Sequence, residues 1–227
     1  MYTDTHDDYS ATSAWYDRLL NPVLNHIRRA LAEWITEHQP TRVLDVGCGT
    51  GKQLSLLPDD VDAVGIDISE GMLERAKTQA GGRCQWGDAT SIPFEDGEFD
   101  LVISQFALHE KDITTINAEL EEVRRVLKPT GVFSVTDFDI PKKLTIFSKI
   151  LGWGIRQVEK HAGGEHYENY KVWMERGGLG KILTDAGWGL IEDKPFYKGN
   201  IRLMFWRKCD GSPLYRREKT NITAFSF

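Results

Sequence analysis

A chain of 227 residues, 41% hydrophobic and 27% charged, is long enough for one complete α/β domain and short for two independent cores. No stretch reaches the roughly 18 consecutive apolar residues of a membrane-spanning helix, and the acidic, polar start Met1–Asp8 has no secretory character, so a cytoplasmic protein is expected. A net charge of −6 argues against a nucleic-acid backbone as the main partner, and the widely separated Cys48, Cys84 and Cys209 suggest no disulfide framework.

Trp15, Leu19, Leu20, Val23, Leu24, Ile27, Leu31, Trp34 and Ile35 recur at helical spacing, broken at Pro22, and predict a helical N-terminal cap within residues 1–40. The periodicity then changes. Strands are expected at Arg42–Val46, Val61–Ile66, Arg83–Trp86, Asp100–Ser104 and Gly131–Phe138, and near Trp188–Pro195 and Arg202–Lys208. Between them a short helix should end near Pro58, a helix capped by Ser69 should run to about Gln79, and further helices should cover Ile113–Leu127 and Leu179–Ala186. This alternation predicts an α/β fold: a Rossmann-like, mostly parallel seven-stranded sheet with helices on both faces and an antiparallel last strand. One domain is expected, with its core at 41–138, a lid insertion at 139–178, a closing helix and strands at 179–208, and a polar tail at 209–227.

The strongest chemical signal is Val43-Leu-Asp-Val-Gly-Cys-Gly-Thr-Gly51. A hydrophobic strand ending in alternating glycines lets the backbone turn tightly and approach a ligand at the carboxyl end of the first strand. Gly47, Gly49 and Gly51 give GxGxG, one residue shorter than the dinucleotide fingerprint GxGxxG. Asp45 inside the strand would repel a pyrophosphate and suits a ligand bearing an ammonium group, such as the methionine end of S-adenosylmethionine. Asp67 follows 22 residues later at the end of the second strand, placed to accept from ribose hydroxyls. Asp88 follows after a further 21, placed to accept from an adenine amine.

These residues resemble the class I S-adenosylmethionine-dependent methyltransferases over about residues 40–138. The likeness includes Gly87-Asp-Ala-Thr-Ser-Ile-Pro-Phe94 and Glu122-Val-Arg-Arg-Val-Leu-Lys-Pro-Thr-Gly131. The run Ile92-Pro-Phe94 is similar to the branch holding ubiquinone and menaquinone C-methyltransferases and many small-molecule enzymes. The resemblance implies S-adenosyl-L-methionine as cofactor and S-adenosyl-L-homocysteine as product. It implies that Asp45, Gly47 and the Gln105 carbonyl meet the methionine amino group, that Asp67 takes the ribose, and that Asp88 and Ala89 take the adenine edge. Ile68 and Met72 would sandwich the ring, although Met72 also suits simple core packing. A nicotinamide-dependent oxidoreductase and a catalytically silent binding module are the alternatives.

Methyl transfer by in-line displacement draws mainly on positioning. His109, at the end of the fourth strand, is the candidate base should the acceptor need to lose a proton. Tyr167, Tyr170 and Trp173 are candidate pocket residues. So is Tyr16, in a Tyr-Asp element resembling the start of quinone and phospholipid methyltransferases. His161, Glu165 and His166 match no established ligand spacing, so no metal is expected.

Within the insertion, Ile140, Leu144, Phe147, Leu151, Ile155 and Val158 share one helical face, widened by Ile146, Ile150 and Trp153. Five cations, Lys142, Lys143, Lys149, Arg156 and Lys160, stand against one acid, Glu159. A lid that buries this stripe over the pocket of a small or lipophilic acceptor is expected. The alternative is a basic amphipathic surface in peripheral contact with an anionic membrane.

Overall fold

Parallel strands covered on both faces are apolar along their whole length. β1 (Arg42–Val46) and β4 (Phe99–Gln105) are of this kind, with Val43, Leu44, Val46, Leu101, Val102 and Ile103 all removed from solvent. In the computed structural model, which describes residues 24–58 and 60–209, these two strands pair in parallel at the centre of one sheet. β2 (Asp62–Asp67) and β3 (Cys84–Trp86) extend it on one side. On the other side lie β5 (Leu127–Phe138), β7 (Ile201–Lys208) and, at the edge, β6 (Trp188–Phe196), in the order β3-β2-β1-β4-β5-β7-β6. β7 is antiparallel to both neighbours, so the expected mostly parallel seven-stranded sheet is the observed one.

Helix α1, described over 24–38, buries Ile27, Leu31, Trp34 and Ile35, and Trp34 stacks on Phe205 of β7 at 4.3 Å. α2 (Glu70–Gln79) starts where the Ser69 hydroxyl accepts from the Met72 N–H. α3 (Ile113–Val126) starts where Asp112 accepts from Thr114 and Thr115. The short helix expected before Pro58 is one 3-10 turn, Leu54–Leu56. β5 begins earlier than expected, because Leu127 pairs with Phe99 across a register shift that absorbs Pro129 and Gly131. The N-terminal element with Tyr16 and the tail beyond Cys209 lie outside the described residues.

The insertion leaves and rejoins the core at one neck. Asp139 bridges to Gly178, and the buried Arg202 binds Asp139 at 2.9 Å and also Asp193 of β6. Between them run α4 (Ile146–Ala162) and α5 (Gly164–Glu175), and α6 (Gly178–Asp185) follows. α4 opens with a capping box between Thr145 and Ser148. Its orientation corrects the expectation. The face turned to the core carries Ser148, Gly152, Ile155 and Glu159, whereas Ile146, Phe147, Ile150 and Trp153 are exposed, as are Leu144 and Ile140 before the helix. Asn200, beside β7, donates to the Ser148 carbonyl at 3.0 Å, and its Oδ1 would lie 2.8 Å from a Cβ on Gly152. A Cβ on Gly154 would meet open space. Gly154→Ala should therefore stabilise the fold by about 0.5–1 kcal/mol through helix propensity. Gly152→Ala should be less stable than Gly154→Ala by about 1–3 kcal/mol, the range for overpacking, measured by urea unfolding of both variants.

Candidate functional site

The carboxyl ends of β1, β2 and β4 meet at one edge, where an open α/β sheet binds ligands. The chain leaves β1 through the glycine turn, and the end of β2 pins it there. Gly47 and Cys48 donate to the Ile66 carbonyl at 2.9 and 3.0 Å, and Gly49 donates to Asp67 Oδ2 at 2.8 Å. Gly47 and Gly49 have φ of +71° and +53°, which side-chain-bearing residues adopt at a cost. A Cβ on Gly49 would meet nothing within 4 Å, so the turn presents bare backbone to an open space.

Asp67 has a double duty in this turn, since its Oδ1 also accepts from the Ser69 N–H at 2.8 Å at the start of α2. A carboxylate has about four acceptor sites, so two backbone bonds leave room for ligand hydroxyls. Ile68 beside it is 54% exposed, an apolar side chain at the mouth, and Met72 is half-buried one turn into α2. Asp88 accepts the Thr90 N–H and hydroxyl, both at 2.8 Å, and Ala89 lies between them, partly buried against the core. Asp45 is buried, and loss of solvent, with the nearby Cys84 and Asp67, pushes its carboxyl up to about 8. Gln105 closes β4 with its Nε2 buried and without a hydrogen-bond partner among the described residues. Next to it Phe106 is held at φ +54°, the kind of backbone strain that gathers at ligand sites.

These features fit the expected cofactor: an open glycine cradle, acids at three successive strand ends, an exposed apolar residue for one ring face, and an unpartnered amide. All the expected cofactor residues lie along this edge or at the starts of the segments that leave it.

The loop after β4 holds a second cluster. Asp137 of β5, fully buried, accepts from the Leu108 and His109 N–H groups at 3.3 Å each and bonds His109 Nδ1 at 2.7 Å. His109 Nε2 lies 3.5 Å from Glu159 Oε2 of α4, and the same oxygen bonds His166 Nε2 of α5 at 2.6 Å. His166 Nδ1 in turn lies 3.4 Å from Glu110. Burial alone would depress both imidazoles, but the carboxylates outweigh it and raise His109 to about 10 and His166 to about 9. Burial also works against the Glu159 carboxylate, yet the two histidines hold it near 2.

This geometry corrects the base assignment. Both His109 nitrogens face carboxylates, and its side chain is only 4% exposed, so neither nitrogen is open to an acceptor's proton. The pocket candidates also change. Trp173 is a buried anchor whose indole N–H donates to the Phe138 carbonyl at 2.9 Å, and Tyr170 is buried edge-on to Phe138. Only Tyr167 of that set is partly open, and Tyr16 is outside the described residues. Sequence reasoning missed Asp137, Glu159 and Glu110. An acid inside the apolar run Val132-Phe-Ser-Val-Thr-Asp-Phe138 was the available signal for Asp137, as it was for Asp45.

The sequence matches the family described as methyltransferase domain over residues 44–135. A demethylmenaquinone methyltransferase of Beutenbergia cavernae is 32% identical over 193 residues, covering 80% of this chain and 79% of that protein. A malonyl-[acyl-carrier protein] O-methyltransferase of Legionella pneumophila is 36% identical over 104 residues, 43% of this chain and 36% of that protein. Among solved structures, a magnesium protoporphyrin IX methyltransferase of Synechocystis with bound S-adenosylhomocysteine shares the fold at a TM-score of 0.61 and 18% identity, over 88% of this chain and 97% of that one. The chain thus belongs to the class I S-adenosylmethionine-dependent methyltransferases, and the nicotinamide-dependent oxidoreductase alternative gives way.

Asp67→Ala should weaken S-adenosylmethionine binding by about 1.5–3 kcal/mol, the scale of hydrogen bonds to a charged group, and should loosen the glycine turn that Asp67 holds. Calorimetric titration of the folded variant measures this. Unchanged affinity would reduce Asp67 to a turn residue.

Proposed function

We propose that this methyltransferase acts on a small, lipophilic acceptor of quinone type that it meets at an anionic membrane surface. The observation that carries the reading is the outward face of α4, where Ile146, Phe147, Ile150 and Trp153 are 59–76% exposed. Lys143, Lys149, Arg156 and Lys160 surround this face, also exposed. Large apolar side chains rimmed by cations match an amphipathic helix lying in a lipid interface. The relation to a protein named for demethylmenaquinone, over 79% of that protein's length, favours the same acceptor class.

In this reading Asp45, Gly47 and Gln105 hold the methionine end of the cofactor, Asp67 the ribose, and Asp88 and Ala89 the adenine edge, with Ile68 and Met72 against its faces. The cofactor, when bound, supplies an electrophilic methyl group. The chain's own part is to hold donor and acceptor in line and to exclude water, which can contribute roughly 7–11 kcal/mol. His109 acts by orientation. Together with Asp137 it fixes the loop on which the acceptor's reacting carbon or oxygen must rest.

Two measurements check this. Asp45 is neutral in the free protein below about pH 8, and an ammonium beside it favours the carboxylate, so binding should release a proton at pH 6–7 and tighten as pH rises to 8. The raised value also means that the cofactor-free fold loses stability as pH climbs from about 4 to about 8, above which the loss levels off. Calorimetry in buffers of different ionisation enthalpy counts the proton, and Asp45→Asn should release none.

The second concerns the membrane. The protein should sediment with anionic phosphatidylglycerol vesicles and be released by salt, each exposed cation contributing about 1 kcal/mol. Lys143→Gln/Lys149→Gln should reduce sedimentation without altering cofactor affinity. Absence of salt-sensitive sedimentation would remove the membrane from the reading and leave a soluble acceptor.

A further inference from the structure

The cluster beneath the lid has a feature that hydrogen bonding alone leaves unused. His109, Glu159 and His166 each offer a ligand atom, and these atoms lie within 4.8 Å of one another. They come from three separate segments, the loop after β4, α4 and α5, with Glu159 and His109 nearly sealed from solvent and His166 19% exposed. Each imidazole also turns its other nitrogen to a carboxylate, His109 Nδ1 to Asp137 at 2.7 Å and His166 Nδ1 to Glu110 at 3.4 Å.

We propose that His109 Nε2, Glu159 Oε2 and His166 Nε2 bind one divalent transition-metal ion, with zinc the best match, and that this ion fastens α4 and α5 to the core beside the cofactor edge. Two nitrogens and one carboxylate oxygen form a three-ligand set suited to zinc and leave a fourth position for water or an exchangeable ligand. Tetrahedral bonds of about 2.0–2.2 Å place ligand atoms about 3.3–3.5 Å apart. His109 Nε2 and Glu159 Oε2 stand at 3.5 Å, and the 2.6 Å pair of Glu159 and His166 has to open by less than an ångström.

The outer carboxylates strengthen the assignment. Metal-binding histidines nearly always donate the remaining N–H to a carboxylate, carbonyl or water, which fixes the tautomer and aims the lone pair. Asp137 and Glu110 serve both rings in this way. On binding, each imidazole keeps the proton on Nδ1 and releases any proton on Nε2 to solvent. The partly exposed edge of His166 gives the ion an entry path. The expectation of no metal came from the spacing of His161, Glu165 and His166. In the fold, His161 bonds the Gln157 carbonyl at the surface and Glu165 is exposed, so of the three only His166 belongs to the cluster.

The test uses the full chain, stripped with a chelator and titrated with zinc chloride alone by calorimetry, then with cobalt(II) followed by visible absorption. One zinc per chain is expected, and the cobalt form should show the intense band of a four-coordinate site. Glu159→Gln and His166→Gln should each weaken zinc binding at least tenfold. Asp137→Asn, outside the coordination shell, should weaken it about 10–100-fold. His161→Gln, two residues after Glu159 and exposed on the other side of α4, should bind as the parent does. If the variants fail to fold, the cobalt spectrum of the unaltered chain still decides, because a weak six-coordinate spectrum or none overturns the proposal. So does zinc binding that survives equally in Glu159→Gln and His166→Gln, which would leave the cluster a purely ionic latch. None of these readings depends on acceptor or membrane, so the site stands or falls apart from the proposed substrate.

Discussion

Glu159 cannot be hydrated where the fold puts it, and the insertion and the loop after β4 are arranged around that constraint. An unpaired carboxylate removed from water costs several kcal/mol. Glu159 is fully buried, so His109 and His166 have to face it. His109 is itself fully buried and is held in turn by Asp137, which also takes the backbone of the loop after β4. One chain of polar contacts therefore runs from β5 through the loop to α4 and α5. Removing Asp137 or Glu159 would take one of the two counter-charges from the buried His109 and destabilise the fold. The positions of α4 and α5 and the loop conformation are thus set together.

The cofactor half is built differently. Each of its parts is short-range, a turn leaving one strand and a carboxylate ending the next, and the link between them is the bond from Gly49 N–H to Asp67. Three parallel strands bring their carboxyl ends together, so side chains distant in sequence share an edge by topology alone. Little adjustment is left to the ligand. The insertion leaves and rejoins the core where Arg202 joins Asp139 to Asp193, and its position depends on contacts between segments distant in sequence.

This difference explains what could be read from the residues. Asp45, the glycine turn, Asp67 and Asp88 announce themselves because strand, turn and acid are contiguous, and the sheet that carries them follows from the same pattern. The antiparallel β7 was legible from two closing strands without a helix between them. Leu127–Thr130 does not read as part of β5, since Pro129 lacks a ladder donor and reads as a break; pairing to Phe99 across a shifted register tolerates it. His109 was found, but its chemistry was not. Its partner Glu159 is fifty positions away on a helix whose packing direction no local pattern reveals. Burial of Trp173 and Tyr170 had the same origin, since aromatics suit a pocket wall and a core equally until their neighbours are known.

The orientation of α4 has a physical cause. Successive residues of an α-helix are 100° apart, which places Ser148, Gly152, Ile155 and Glu159 in one narrow stripe and Ile146, Ile150 and Trp153 on the opposite side. Turning the apolar side inward would carry Glu159 out of reach of both imidazoles and leave His109 beside Asp137 with one nitrogen stranded. It would also lift Gly152 from Asn200, where only a residue without a Cβ lets the helix approach so closely. The ionic cluster and the small residue therefore outweigh the hydrophobic gain of burying the stripe. That gain is recovered only if something apolar covers the outer face, and a lipid surface can do so without displacing a single polar contact beneath. The inward grip on Glu159 and the outward apolar surface are two sides of one packing decision.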